Sequence, residues 1–175
     1  MNKQEIINKL LTNHQNFVEF ATNLSDDDFT ISNNGKWTAG QQLDHIYRGV
    51  KPLTQGFMLP KFVFGLLFGK AEKDSLNYDD LVKKYQTILA NGGKASGKFI
   101  PKTIEISEME KLKNNLLKSV ESLTKRLEKF SENELDKYRL PHPLLGKLTV
   151  REMLYFTIYH VEHHHKAALK NLEVN

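Results

Sequence analysis

The stretch WTAGQQLDHI, residues 37–46, combines a helix start with a histidine one turn further on, and the rest of the chain can be interpreted outward from it. Thr38 to Gln41 has the form of a capping box, in which the threonine hydroxyl accepts from a backbone N–H and the glutamine side chain reaches back. This pattern predicts a helix that begins at Ala39 and runs to about Gln55, with Pro52 bending it.

Three more long helices are predicted from apolar residues that recur at helical spacing. They cover residues 3–24, residues 108–130 after a capping signal at Ser107, and residues 150–172 after one at Thr149. GKLT at 146–149 repeats the spacing of GKWT at 35–38, which fixes both helix starts. We therefore predict one all-α domain over residues 1–175.

The connecting segments contain shorter elements. Residues 56–106 form a long crossover with an apolar segment, one short helix near residues 78–90 and a glycine-rich loop. Ser131 is predicted to cap a further short helix, and residues 141–146 are predicted to be a loop. Within that loop, His142 is expected to be solvated at the surface. Trp37 is interpreted as a hydrophobic staple on the helix start.

Composition excludes several classes of protein. The chain has no cysteine, so disulfides, thiolate metal sites and a cysteine nucleophile are excluded. Its net charge of +4 comes from 25 basic and 21 acidic residues spread along the chain, which argues against nucleic-acid binding. The apolar run at 56–69 is too short to span a membrane and is interrupted by Pro60 and Lys61. No signal peptide is recognised at the amino terminus, so we expect a cytoplasmic protein.

The stretch YHVEHHH, residues 159–165, holds four of the seven histidines. The helical pattern continues beyond it, so it is not a purification tag. At about 100° per residue, His160 and His164 face inward, whereas His163 lies on the flank. Side chains four residues apart lie one above the other and can converge on one ion. His45 reaches the same height if its helix packs antiparallel to the last one.

Spacing alone leaves two interpretations open, a metal site or three hydrogen-bonded core histidines. Of the neighbouring polar residues, Gln41 and Gln42 can orient groups and Thr157 shares the inward face of the last helix. His14 lies on the apolar face of the first helix, where a core histidine is favoured over a pocket residue. His163 is a weak candidate for a catalytic base.

WTAGQQLDHI, GKLT at 146–149 and YHVEHH at 159–164 together resemble the DinB-like superfamily of metal-binding four-helix bundles, over most of the chain. The resemblance implies that the four long helices form the bundle and that residues 56–106 are its crossover between the second and third core helices. It also implies that a divalent ion, zinc or nickel foremost, is bound by three ligands: His45, His160 and His164. Gln41 stands where many members have glutamate.

The function implied by the resemblance has several forms. Some members resemble thiol-dependent transferases or isomerases, which implies an enzyme that activates a low-molecular-weight thiol against a small-molecule substrate. A hydrolase that activates water is an alternative, and so is a non-catalytic protein that binds metal or a small ligand. A third alternative is a metal-free interaction module that forms a homodimer through the apolar residues 57–68.

Overall fold

The computed structural model describes residues 1–173, and most of them are helical. The mostly helical structure confirms the predicted all-α class. Residues 174 and 175 of the predicted domain lie outside the described residues. The elements of the described chain are α1 (Lys3–Thr22), α2 (Asp26–Thr30), α3 (Ala39–Phe57), α4 (Lys61–Phe68), α5 (Tyr78–Ala90), α6 (Met109–Leu127), α7 (Glu132–Lys137), β1 (Arg139–His142), β2 (Gly146–Thr149) and α8 (Val150–Leu172).

The two helices that carry the histidine motifs start with the predicted capping boxes. At α3, the Thr38 hydroxyl accepts from the Gln41 backbone N–H at 3.0 Å, and the Gln41 side-chain oxygen Oε1 accepts from the Thr38 backbone N–H at 3.0 Å. At α8, Thr149 and Glu152 make the same reciprocal pair at 3.1 and 2.7 Å. Because these bonds satisfy amide groups that have no partner within the helix, they fix both helix starts.

The start of α6 differs from the prediction. The residues before it, Ile106–Glu108, form a turn of 3-10 helix, and α6 begins at Met109 without a side-chain cap. The capping box of that turn belongs to Glu105 and Glu108, and Ser107 lies inside it. Ser107 is therefore not the cap of the third long helix, because the capping box of Glu105 and Glu108 has already started the helical turn.

The crossover and the segment before α8 contain more structure than the sequence indicated. Residues 56–106 hold two helices, α4 and α5, where one was predicted. The predicted loop at 141–146 belongs to a hairpin in which β1 pairs antiparallel with β2, with Leu140 opposite Leu148 and His142 opposite Gly146. Each strand has only four residues, too few for a period-2 pattern to be recognised in sequence.

The four long helices pack against one another and bury the main core. Helix α3 packs on α6 and α8, and α1 packs on α6 and α8. The largest fully buried apolar side chains of these four helices are Ile6, Leu10, Phe17, Leu43, Ile46, Leu116, Leu123 and Leu127. Contact between α3 and α8 brings the two histidine-bearing helices face to face. Within residues 1–173, no helix is both long and apolar enough to cross a membrane.

Candidate metal centre

Three histidines from two helices meet in the interior between α3 and α8. The Nε2 atom of His160 lies 3.0 Å from Nε2 of His45 and 3.0 Å from Nε2 of His164. The three residues are buried, and each offers one ligand atom within 4.8 Å of the others. The ring centroids of His160 and His164 are 4.4 Å apart, as expected for side chains one helical turn apart. The sequence-predicted ligand residues therefore come together at one point.

Hydrogen bonds on the far side of two rings fix where the ring protons are. Nδ1 of His45 donates to the backbone oxygen of Phe99 at 2.6 Å, and Nδ1 of His164 donates to the side-chain oxygen of Gln42. A carbonyl oxygen accepts only, so both rings carry their proton on Nδ1 and direct the Nε2 lone pair at the cluster. At most one proton, on His160, remains for three Nε2 atoms. Within the cluster, two acceptor nitrogens therefore have to share that single proton.

Burial keeps the three rings neutral. It lowers the pKa of His45, and it lowers the pKa of both His160 and His164 well below the ordinary value, with the neighbouring imidazoles reinforcing the effect. Neutral imidazole is the form that binds metal ions. The cluster is thus uncharged at pH 7, and at most one proton, that on Nε2 of His160, has to move before all three Nε2 atoms can bind an ion.

The spacing and the chemistry of the cluster fit a divalent ion. A tetrahedral ion with metal–nitrogen bonds of about 2.0–2.1 Å places its ligand nitrogens about 3.4 Å apart. The observed 3.0 Å separations and the 4.8 Å upper bound bracket that value. Imidazole suits zinc, nickel, copper and iron. Three protein ligands leave a coordination position open, which is the pattern of catalytic rather than structural zinc sites.

A loop of the crossover is tied to α3 so that it holds His45 in place. The Lys102 N–H donates to the Asp44 carboxylate at 3.0 Å, and the Arg48 guanidinium donates to the Lys98 oxygen at 3.1 Å. The carbonyl of Phe99, between these anchors, accepts the His45 proton. Sequence patterns did not indicate this loop as part of the site, because the bonds join residues fifty or more positions apart.

The histidine cluster opens into a cavity of about 940 Å³. Helices α3, α4, α5 and α8, the hairpin and the loops at 35–37 and 93–100 contribute to its walls, which are mainly apolar. Among the described residues that line it, none is Asp or Glu, whereas four are lysines: Lys36, Lys94, Lys98 and Lys170. The cavity therefore combines an apolar interior with exclusively positive formal charge.

Three of the predicted neighbours of the site lie in the cavity wall. Gln42 is buried and accepts the His164 proton. Thr157 lines the cavity, although its hydroxyl donates to the Met153 backbone oxygen at 2.8 Å. His163 is half-buried in the wall, with its ring centroid 5.0 Å from that of His164, and burial lowers its pKa. His163 is therefore neutral at pH 7, and one of its two ring nitrogens is unprotonated and can accept a proton.

Two other predicted neighbours lie away from the cavity. Gln41 uses its side chain in the α3 cap and is not among the residues that line the cavity. His14 is fully buried in α1, where its Nδ1 donates to the Leu10 oxygen at 2.7 Å, and it does not line the cavity either. The cap holds the Gln41 side chain, and the apolar core encloses His14, which is the position favoured for it from the sequence.

Two cavity residues were expected to be structural or solvated. The Trp37 ring lies 4.9 Å from the His45 ring and stacks 6.0 Å from the His164 ring, so it covers the cluster. His142 lines the cavity with its ring 4.2 Å from that of Phe156, and burial lowers its pKa to about 4. The expected solvation of His142 is therefore wrong, because the hairpin turns it inward.

These features define a helical protein whose two facing helices present a buried three-histidine centre to a cavity. The sequence profile of the DinB superfamily matches residues 9–168, so the chain belongs to that superfamily. The matched range includes the three histidines and both capping boxes. The chain has no significant match among curated proteins or solved structures.

Proposed function

We propose that this is a DinB-type four-helix bundle, a single domain built on α1, α3, α6 and α8, which binds one zinc or nickel ion. Its ligands are the Nε2 atoms of His45, His160 and His164. The observation that carries this proposal is the pair of hydrogen bonds to Phe99 and Gln42, since they direct the Nε2 lone pairs of His45 and His164 at one point, where at most one proton is present. A cation at that point satisfies all three.

The proposed activity is transfer of a small thiol to an electrophile. An ion held by His45, His160 and His164 would supply Lewis acidity, which would lower the pKa of a small thiol and favour its nucleophilic thiolate form. The thiol is a separate molecule, because the chain contains no cysteine. The lysine-lined and acid-free wall of the cavity supports a thiol that carries carboxylate groups, since the positive potential raises the local concentration of anions.

The side chains of the protein have separate roles in this proposal. His163 takes the proton that leaves the thiol, because its lowered pKa keeps it neutral and it stands in the cavity wall. Trp37 covers the cluster and excludes water from one side. The thiolate forms a carbon–sulfur bond to the electrophile, whose leaving group departs with the electron pair or, in an addition, whose carbon takes up a proton.

The first test is metal content, measured by mass spectrometry on tag-free protein. We expect about one ion per chain in the wild type and its loss in His45→Ala and His160→Ala, with circular dichroism showing that the helices are retained. His165→Ala is the matched control, because His165 contacts Phe17 and Phe20 and does not line the cavity. Absence of an ion from wild-type protein that has been incubated with excess zinc or nickel would overturn the proposed centre.

Trp37 provides a second readout of the same site. It is the only tryptophan in the chain, and its ring lies 4.9 Å from that of His45. Paramagnetic Ni²⁺ should therefore quench its fluorescence in the wild type and in His165→Ala, but not in His160→Ala. Equal quenching in all three proteins would place the ion elsewhere.

Thiol dependence separates the proposed transferase from a hydrolase. The metal-loaded protein would be assayed with cysteine or mercaptosuccinate and 1-chloro-2,4-dinitrobenzene, and separately with 4-nitrophenyl acetate in the absence of thiol. We expect turnover only in the first assay, with His163→Gln slower than the wild type. Ester hydrolysis without thiol would replace the transferase with a metal-dependent hydrolase.

A further inference from the structure

The cavity is divided into two parts by the histidine cluster, and both helices show the same order. Along α8, the apolar Met153 and Phe156 precede His160, and Lys170 follows His164. With a rise of 1.5 Å per residue, Met153 lies about 10 Å from His160 along the helix, and Lys170 lies about 9 Å beyond His164 in the other direction. The candidate metal centre therefore lies between an apolar part and a cationic part.

Helix α3 gives the same division from the opposite wall. Its cavity-lining residues beyond His45 include Leu53 and Gly56, and Gly56 is about 16 Å from His45 along the helix. Lys36, which lines the cavity just before α3, donates from its ammonium group to the Lys170 backbone oxygen at 3.3 Å. Lys36 and Lys170, which we call the lysine end, thus come from the start of α3 and the end of α8.

The apolar part, which we call the chamber, is enclosed at its far end by helix α4 and strand β1. Helix α4 contributes Val63, Phe64 and Phe68, and β1 contributes Leu140. Phe64 is buried and packs edge-on against Phe57, so α4 is anchored to α3 at this end. The side chains that α4 and β1 contribute carry no charge, so they cannot compensate the desolvation of an ionic ligand, whereas they stabilise an apolar one by burial.

We propose that the chamber binds the apolar body of the electrophile, an alkyl or aryl group, and places its reactive carbon at the histidine cluster. The anionic end of the thiol occupies the lysine end, so the two substrates approach the centre from opposite sides. The assignment of the two substrates rests on the proposed thiol transfer. The affinity of the chamber for apolar groups does not depend on it and can be tested without metal or turnover.

Gly56 offers a way to fill the chamber without disturbing the helix. It lies within α3, lines the cavity, and a Cβ atom added there meets no atom within 4 Å. Gly56→Phe would place a ring in the open space, and Gly56→Ala is the matched control that adds one methyl group. Both substitutions favour helix over glycine, so neither is expected to weaken α3.

The experiment is calorimetric titration of the full-length, metal-free protein with uncharged 1-alkanols from butanol to decanol. Each added methylene should tighten binding about fourfold until the chamber is full, since burial of one methylene contributes about 0.8 kcal/mol. Gly56→Phe should weaken octanol binding about 15-fold, equivalent to two methylenes, and Gly56→Ala should bind like the wild type. Leu66→Gln tests the solvent-facing side of α4, where Leu66 is 79% exposed, and should not change binding.

The outcomes are distinguishable from those for the proposed function. Affinity that does not rise with chain length, or that is the same in Gly56→Phe and the wild type, overturns the chamber. Loss of binding in Leu66→Gln also overturns it, because the alkanols would then bind the outer face of α4. If Gly56→Phe unfolds by circular dichroism, Gly56→Leu replaces it. A failure of metal binding or of thiol turnover leaves these titrations unaffected.

Discussion

Gln42 orients one of the proposed ligands without touching the ion. Its side-chain oxygen accepts the Nδ1 proton of His164, which fixes both the tautomer and the plane of that ring. We expect Gln42→Leu to weaken metal affinity about 10- to 100-fold, the usual effect of losing such a partner. Competition with a calibrated chelator measures the change.

The adjacent glutamine is the matched control for that substitution. Gln41 belongs to the α3 capping box and does not line the cavity, so Gln41→Leu should lower stability by about 1 kcal/mol without changing metal affinity. If both variants bind the ion like the wild type, Gln42 has no role in the centre. If both lose affinity equally, the effect comes from the helix start and not from the His164 hydrogen bond.

His14 should make the stability of the fold depend on pH. Burial lowers its pKa to about 4 from 6.5, so between these values the unfolded chain binds a proton that the folded chain does not. Stability therefore falls as the pH decreases through this window. His14 alone should account for about 2 kcal/mol of the loss between pH 7 and pH 5.

The variant His14→Phe isolates that contribution. His14 Nε2 is buried and has no hydrogen-bond partner among the described residues, so an apolar ring of similar size removes the proton-binding site and the desolvated nitrogen together. Urea unfolding with chelator present, at pH 7 and at pH 5, should show a smaller loss in the variant. Equal losses in the two proteins would mean that other groups govern the acid sensitivity.

The sequence predicted the residues at the centre better than their partners. His160 and His164 could be paired because helical spacing places them on one face, and His45 follows a recognisable cap. Phe99 could not be predicted, since its contribution is a backbone carbonyl that any residue would supply. His142 was assigned to the wrong surroundings, and the contact of Trp37 with the histidine rings was not predicted, because both positions depend on how segments distant in sequence pack together.

At the scale of the elements, two serines with similar sequence contexts should differ in their effect on stability. The Ser131 hydroxyl accepts from the Glu134 N–H at 3.2 Å and caps α7, whereas α6 starts without a side-chain cap and Ser107 lies within the preceding turn. Ser131→Ala should therefore lower the free energy of unfolding by about 1 kcal/mol. Ser107→Ala should change it by less than about 0.5 kcal/mol.

Chemical denaturation of the two serine variants beside the wild type makes the comparison. A loss in Ser107→Ala as large as that in Ser131→Ala would show that Ser107 caps α6 after all. The contrast explains why element boundaries were only partly predictable. A capping box fixes a start when it stands alone, as at Thr38 and Thr149, but overlapping signals such as Glu105 with Glu108 shift the boundary by one or two residues.

At the scale of the whole molecule, the packing of α3 against α8 follows from their amphipathic faces, but the cavity does not. Its chamber exists because α4 and the hairpin close one end of the space between those helices. The α4 sequence is apolar on every face, with Phe64 buried and Phe62 and Leu66 exposed. Hydrophobic periodicity therefore could not show which face of α4 turns inward.

Removal of the proposed ion should leave the helical fold intact but less stable. The buried core of the four long helices does not include the three histidines, so the apo protein retains its main apolar contacts. At a free ion concentration 100 times the dissociation constant, binding contributes about 2.7 kcal/mol. For a chain of 175 residues, each kcal/mol corresponds to about 2–4 °C in Tm, so chelation should lower Tm by about 5–11 °C.

The measurement is a thermal melt of the loaded protein with and without chelator, with His160→Ala as the control that should not respond. A decrease in this range, with helical circular dichroism retained below the transition, agrees with an open site on a fold that is stable by itself. Complete unfolding on chelation would instead make the ion a structural element, as in domains whose folding depends on metal. In that case the ion on the histidine cluster would be a structural cross-link between α3 and α8, and the non-catalytic alternative would replace the transferase.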